Sequence, residues 1–315
     1  MMGAMNASSD RPLDAESIGA LFEHGYVVVR AFFSDDDLAV IRADFEAVRR
    51  GDPTSGAELS SELRFDDPRV RRVRDRLDAL VQAVASSRGQ RALLPFTIGN
   101  YIQSSEVSYG LHCDYGILSP SANAFKLWIP LVKPDPMRDG MTFVPMDKLR
   151  EREPALARKI AGRGAAAIKN DKEVVLVGET IERSMLGASI RDLCVTPEVR
   201  VGDVVVFRAQ DTFHRSQEPD PATAGARSER VAWAFPIRMA GETIHRRELL
   251  RSKGKREFLG RSSVATVLAC SWQHRRASIT YEELSAFEAQ LRARRPGALA
   301  LYYGAYAIEP LVWRT

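Results

Sequence analysis

Several large protein classes are excluded by what the sequence lacks. Its three cysteines, Cys113, Cys194 and Cys270, are far apart. They form neither a disulfide framework nor a CxxC zinc pair, and a reducing compartment is expected. No stretch reaches the roughly 18 consecutive apolar residues that a membrane span needs. The opening MMGAMNASSDRP lacks the charged-then-apolar pattern of a secretory signal, so a cytoplasmic location is expected. Excess charge of one sign is missing too: 45 basic against 41 acidic residues leave a formal +4. With no basic stripe interleaved with aromatics, no nucleic-acid partner is expected. An anionic small molecule remains compatible with that balance, as does solubility alone. Internal repeats and low-complexity linkers are also lacking. The chain therefore reads as a single domain over residues 14–315 behind a flexible N-terminal tail at 1–13.

What is present is a helix-rich start and a strand-rich middle. Residues 14–24 place Ile18, Leu21 and Phe22 on one helical face, with Gly25 as a stop. GYVVVRAFF reads as a strand. Ser34 and the acids after it open a second helix with Leu38, Ile41, Phe45 and Val48 inward, and 68–87 predicts a third. From about 93 to 145 come short strand-like runs: PFTIGNYIQ, SYGLHCDY, AFKLWIPLV and GMTFVPM. A helix over 147–163 and a less regular segment to about 195 interrupt them. Strands resume in EVRVGDVVVFRA and RVAWAFPIRM, and 281–295 predicts a helix with Leu284, Phe287 and Leu291 on one face. The expected fold is mainly β with α: a sandwich or jelly roll, core about 93–240, buttressed by helices before and after. Strand–helix alternation at βαβ spacing is absent, which disfavours a Rossmann fold.

The chemistry gathers at His112-Cys113-Asp114. On a strand, residues two apart share a face, so His112 and Asp114 project together and can ligate one metal. Downstream, VRVGDVVVFRAQDTFHRS runs a strand through a turn to His214. Two histidines and a carboxylate occupy one face of an octahedral iron and leave three positions open. Zinc is less favoured, because no cysteine joins the set and no HExxH helix exists. A cation completes the constellation. Arg230 stands at the start of RVAWAFPIRM, where a guanidinium suits a bidentate grip on a carboxylate. Arg227, in the loop before it, competes for that role.

Taken in order, GYVVVRAFFSDDDLAVIR, HCD, KLWIPLVKPDPMRDGMTFVP, GDVVVFRAQDTFHRS and RVAWAFPIR resemble the phytanoyl-CoA hydroxylase-like family of iron(II)/2-oxoglutarate oxygenases. The resemblance spans roughly residues 17 to 240. It implies a double-stranded β-helix core, Fe(II), 2-oxoglutarate as cosubstrate and O2. It also implies that Arg230 grips the distal carboxylate with help from Ser216, that Trp128 lines the cosubstrate pocket, and that Gln103 contributes. The activity implied is oxidation of an unactivated C–H bond of a small molecule, releasing succinate and CO2. Asp114, where halogenating relatives lack a carboxylate, favours hydroxylation or a related oxidation. Two departures stand out. Met146-Asp147-Lys148 replaces the family's usual Gly-Ser-His turn, which implies an altered lid, and the arginine comes later after His214 than is usual.

Two other readings stay open: a cupin-like metalloenzyme that does not use 2-oxoglutarate, and a catalytically silent ligand-binding member. The intact ligand set argues against the second. Candidate substrate determinants are the variable segment 147–195 and the C-terminal extension 241–315, whose RRELLRSKGKR run fits a solvated face or an anionic substrate. LYYGAYAIEPLVW is apolar enough to dock on the core or form a subunit contact. The substrate, the oligomeric state and the choice among hydroxylation, desaturation, epoxidation and ring formation stay open at this level.

Overall fold

Alternating β-branched and aromatic positions build the larger of two facing sheets. The structure is a computed structural model that describes residues 13–51, 58–60, 68–93, 100–103, 111–113, 125–133, 135–137, 140–161, 190–209, 211–216, 230–245 and 264–294. Its principal sheet is antiparallel throughout. It contains β1 (Tyr26–Val29), β2 (Glu58–Ser60), β3 (Ala92–Leu93), β4 (Asn100–Gln103), β5 (Phe125–Val132), β7 (Val204–Arg208) and β9 (Val231–Met239). The strand order is β1-β7-β5-β9-β4-β2, with β3 also paired to β9.

Period-two alternation sends each strand's residues to opposite sides. Leu127, Ile129 and Leu131 of β5, Val204 and Val206 of β7, and Val231 and Trp233 of β9 join the core under the helices. Their neighbours Trp128, Val205, Phe207, Ala232 and Ala234 face the other way, into a second cluster. The central strands are thus buried on both faces. Pro130 has no N–H to give the ladder, and the β5–β9 register shifts between Pro130 and Val132.

Helices α1 (Ala15–His24), α2 (Asp35–Gly51) and α3 (Pro68–Ser86) cover the first face. Asp14 caps α1 by accepting from Ser17 N at 2.8 Å, and Gly25 ends it in a left-handed turn, φ 87°. Ser34 caps α2, and Asp37 reciprocates by accepting from the Ser34 N–H at 3.2 Å. The same carboxylate, fully buried, accepts from Arg72 Nε at 2.9 Å and Arg76 Nη1 at 3.2 Å, which locks α2 to α3. Along α3, Val70, Val73, Leu77, Leu80, Val81 and Val84 form the buried stripe, with about 1.5–3 kcal/mol gained for each large side chain removed from water.

A smaller sheet pairs β6 (Met141–Phe143) with β8 (His214–Ser216), antiparallel. Isolated bridges extend it on both sides: His112 joins His214, and Val195 joins Phe143. Its inner side packs Met141 and Phe143 against Trp128, Val205 and Phe207 of the large sheet. On its outer side Leu111, Cys113, Val144 and Phe213 pack with α4 (Met146–Arg152) and α5 (Pro154–Ile160). A fourth cluster, including Ile244, Cys270, Ile279 and Leu284, unites β10 (Thr243–His245), β11 (Ser278–Thr280), α6 (Val264–Gln273) and α7 (Tyr281–Arg294). None of the described helices is long and apolar enough to cross a membrane.

Three expectations need correction. The helix expected over 147–163 is two helices, because Pro154 disfavours helical geometry at Glu153, which adopts φ −131° and ψ 64°. GYVVVRAFF is a strand only to Val29, since Ala31 takes a positive φ of 46°. His112 sits in a lone bridge rather than a ladder strand. Residues 1–12, most of 162–195, 246–263 and the terminal apolar run lie outside the described residues.

Candidate metal and cosubstrate site

The two histidines meet because they are direct cross-strand partners. His112 N donates to the His214 carbonyl at 3.0 Å, and His214 N donates back to His112 O at 2.8 Å. Residues opposed in this way project to one face, and the two imidazole rings lie 4.5 Å apart between centroids. That face is the inner one. Phe207 of the large sheet meets the His214 ring edge-on at 4.8 Å, and Phe143 lies at 6.4 Å. His214 is 2% exposed, whereas His112 is half-buried, so the pair is more open on the His112 side.

The turn before His214 is tightly held. Asp203, ahead of β7, accepts from Ala31 N, Arg200 N and Arg30 Nη1 at 2.8–2.9 Å. After β7, Arg208 donates through Nε to Asp211 at 3.0 Å and through its backbone N–H to Gly25 O at 2.8 Å. Burial pushes the Asp211 carboxyl up, although the adjoining Arg208 guanidinium opposes the shift. Thr212 N donates to Arg208 O at 3.0 Å and the Thr212 hydroxyl to Gly25 O at 3.3 Å. The Thr212 carbonyl then accepts from His214 Nδ1 at 2.9 Å. A carbonyl can only accept, so the proton is on Nδ1 and the lone pair of the neutral ring is on Nε2. That donor set suits a divalent metal: a neutral imidazole with its far nitrogen fixed by a backbone partner.

Ser216, two residues along β8, shares the face of His214. Its hydroxyl accepts from Arg230 Nη2 at 3.2 Å. Arg230 directly precedes β9, is 5% exposed, and follows the alternation of Ala232 and Ala234 toward the inner side. A buried guanidinium beside a hydroxyl suits a carboxylate. Trp128, 3% exposed, faces the same interior and pairs across β5–β9 with Ala234. Gln103 ends β4 in register with Val231, next to Arg230; its side chain lies outside what is described.

Asp114 and Arg227 lie outside the described residues. Among the described residues no three His, Cys, Asp or Glu side chains form a group that could hold a metal. Met146-Asp147-Lys148 opens α4, with Met146 buried. Asp147 faces His24 Nδ1 of α1 at 3.0 Å. Burial works to raise the Asp147 carboxyl, but the His24 contact together with the backbone N–H groups of Asp147 and Lys148 holds the group below its ordinary range. The role of Gly25 and Thr212 is not visible in the sequence, because both act through backbone carbonyls that carry no residue-type signature.

Between helix-clad facing sheets, an inward histidine pair stands near a buried arginine, groups suited to a metal and to a carboxylate. A model of the phytanoyl-CoA dioxygenase (PhyH) family matches residues 21–220, and the chain belongs to that family. It is a non-haem iron oxygenase dependent on 2-oxoglutarate, with Fe(II), 2-oxoglutarate and O2 as its cofactor and cosubstrates. No curated protein matches it in sequence. Among solved structures it is similar to the non-haem α-ketoglutarate-dependent carbocyclase SnoK from nogalamycin biosynthesis, at 17% identity and TM-score 0.48 over 72% of this chain and 84% of that one. EctD from S. alaskensis, solved with 2-oxoglutarate and 5-hydroxyectoine, gives 12% and 0.49 over 76% and 81%. HygX from Streptomyces hygroscopicus, solved with nickel and 2-oxoglutarate, gives 17% and 0.45 over 71% and 86%. Likenesses this distant carry nothing about substrate.

Proposed function

We propose that this oxygenase hydroxylates a C–H bond of a small molecule between the two walls of a double-stranded β-helix, residues 14–315 acting as one domain. The observation that carries the reading is the inward pairing of His112 and His214, with Arg230 and Ser216 two residues along the same face. Iron and 2-oxoglutarate, when bound, supply an O2-driven oxidation of the substrate, with succinate and CO2 as coproducts.

The chain's own contribution is orientation and exclusion of water. His112 and His214 offer two imidazole nitrogens from adjacent positions of one sheet, and Asp114, two residues along the sequence from His112, adds the carboxylate. Arg230 holds the distal carboxylate of 2-oxoglutarate, with the Ser216 hydroxyl beside it. Two strand residues, about 7 Å, separate that grip from the imidazoles. Trp128, Phe207, Ala232 and Ala234 present apolar surface around the site. Burial strengthens the arginine–carboxylate contact by lowering the local dielectric, and the two alanines leave room for a slender diacid. Gln103 lies next to this grip through the register of β4 with β9.

The test compares 2-oxoglutarate affinity of the anaerobic iron-loaded protein with that of Arg230→Ala and Arg227→Ala. Losing charge-assisted hydrogen bonds worth about 1.5–3 kcal/mol predicts a roughly 10- to 100-fold weakening for Arg230→Ala, with Arg227→Ala unchanged. The reverse pattern would transfer the grip to Arg227. Undiminished binding in both variants would overturn the arginine grip, and a wild-type protein that binds no 2-oxoglutarate would remove the keto acid from the reading.

A further inference from the structure

Gly25 and Thr212 are nearly two hundred residues apart, yet the structure presses them together directly behind His214. An ideal Cβ on Gly25 would lie 2.1 Å from Thr212 Oγ1, 2.9 Å from its Cγ2 and 3.0 Å from Met146 Cγ. The Gly25 carbonyl accepts two hydrogen bonds from the turn that ends in His214: Arg208 N at 2.8 Å and Thr212 Oγ1 at 3.3 Å. Thr212 is fully buried, and its N–H is engaged with Arg208 O at 3.0 Å. The residue is thus held through both its backbone N–H and its side-chain hydroxyl, and its carbonyl accepts from His214 Nδ1 at 2.9 Å.

We infer that Thr212 is a positioning residue for this oxygenase. Pinned by the Gly25 carbonyl at the α1–β1 junction, it fixes the tautomer and ring angle of His214. This rests on the reading of His214 as an iron ligand. The physical reason is general. A ligating imidazole needs its metal-facing nitrogen unprotonated, and a fixed acceptor on the far nitrogen selects that tautomer before the metal arrives. Without such an acceptor, the neutral ring would divide between two tautomers and two flipped orientations, and metal binding would have to select one. The N-terminal helix and first strand, remote from the ligands in sequence, would then set the iron affinity through one carbonyl.

The first measurement needs no variant: the imidazole 15N signals of the metal-free protein. The chain has five histidines, and His214 is assigned by the signals missing in His214→Ala. The proton is expected on Nδ1; a proton on Nε2 overturns the inference. Anaerobic iron(II) titration follows with Thr212→Val, which keeps the side-chain shape but loses the hydroxyl, and with Thr212→Ser, which restores it. Thr212→Val is expected to bind iron about tenfold or more weakly, in the range seen for partners of metal ligands, with mixed tautomer signals. Thr212→Ser should return both toward wild type. Wild-type tautomer and affinity in Thr212→Val would overturn the inference, as would a loss that Thr212→Ser shares. The titration of His214→Ala separates the two levels. Retained iron affinity there defeats the ligand reading itself, whereas lost affinity beside an unaffected Thr212→Val defeats only the positioning role.

Discussion

Replacing Gly25 by alanine probes the junction on which the histidine turn rests. Two penalties combine. At φ 87° an L-residue lies in the left-handed region, at about 1–2 kcal/mol. The new methyl also falls 2.1 Å from the hydroxyl of a fully buried threonine, and overpacking of this kind adds about 1–3 kcal/mol. A total of about 2–5 kcal/mol follows, or a fall in melting temperature of roughly 4–20 °C at 2–4 °C per kcal/mol. Gly89 supplies the control. It too has a positive φ, 65°, but nothing lies within 4 Å of its ideal Cβ, so Gly89→Ala incurs the backbone penalty alone. Thermal denaturation of both variants beside wild type separates the two contributions. If Gly25→Ala melts no lower than Gly89→Ala, the close approach to Thr212 has no energetic weight and the reasoning is wrong.

Two further outcomes follow from the helices. Asp37→Ala removes both the reciprocal cap of α2 and the acceptor for Arg72 and Arg76. Because both arginines keep contact with water, the expected loss in urea denaturation is about 1–3 kcal/mol; a change within experimental error would contradict the lock between α2 and α3. Asp14 gives a pH signature. Its hydrogen bonds with Ser17 hold its carboxyl below the ordinary 3.8, so the folded state favours the charged form. The stabilisation is then complete above the ordinary value and fades as pH falls through the depressed one. The melting gap between wild type and Asp14→Ala, about 1 kcal/mol near neutrality, should therefore close in acid, and a gap that widened there would refute the cap.

Much of the scaffold is legible in residue patterns because burial follows period. The three-and-four spacing in α1, α2 and α3 and the alternation in β5, β7 and β9 both point at what the structure buries. Ser34 and Gly25 mark helix ends in advance because capping depends on side-chain chemistry or a positive φ, whereas Asp14, read as part of α1, proves to be its cap. Short elements escape. Three-residue strands such as β10 and β11 carry too few positions for a period, and their pairing across more than thirty residues is decided by the cluster around Cys270 and Leu284. A single proline, Pro154, divides a helix that composition alone runs together. At the site, His112 and His214 stand out by residue type and spacing, whereas the pairing of Arg230 with Ser216 comes only from the family resemblance; the structure brings the members of each pair together. The Gly25–Thr212–His214 chain is not legible in the sequence, since two of its links are backbone carbonyls.

On the proposed reading, His112, Asp114 and His214 hold one iron beside a keto-acid grip. Anaerobic titration with iron(II), with and without 2-oxoglutarate, on wild type and on His112→Ala, Asp114→Ala and His214→Ala tests it most directly. Equimolar iron uptake by wild type, strengthened by 2-oxoglutarate and lost in His112→Ala and His214→Ala and sharply weakened in Asp114→Ala, is the predicted result. Iron bound as tightly by His214→Ala as by wild type would contradict it.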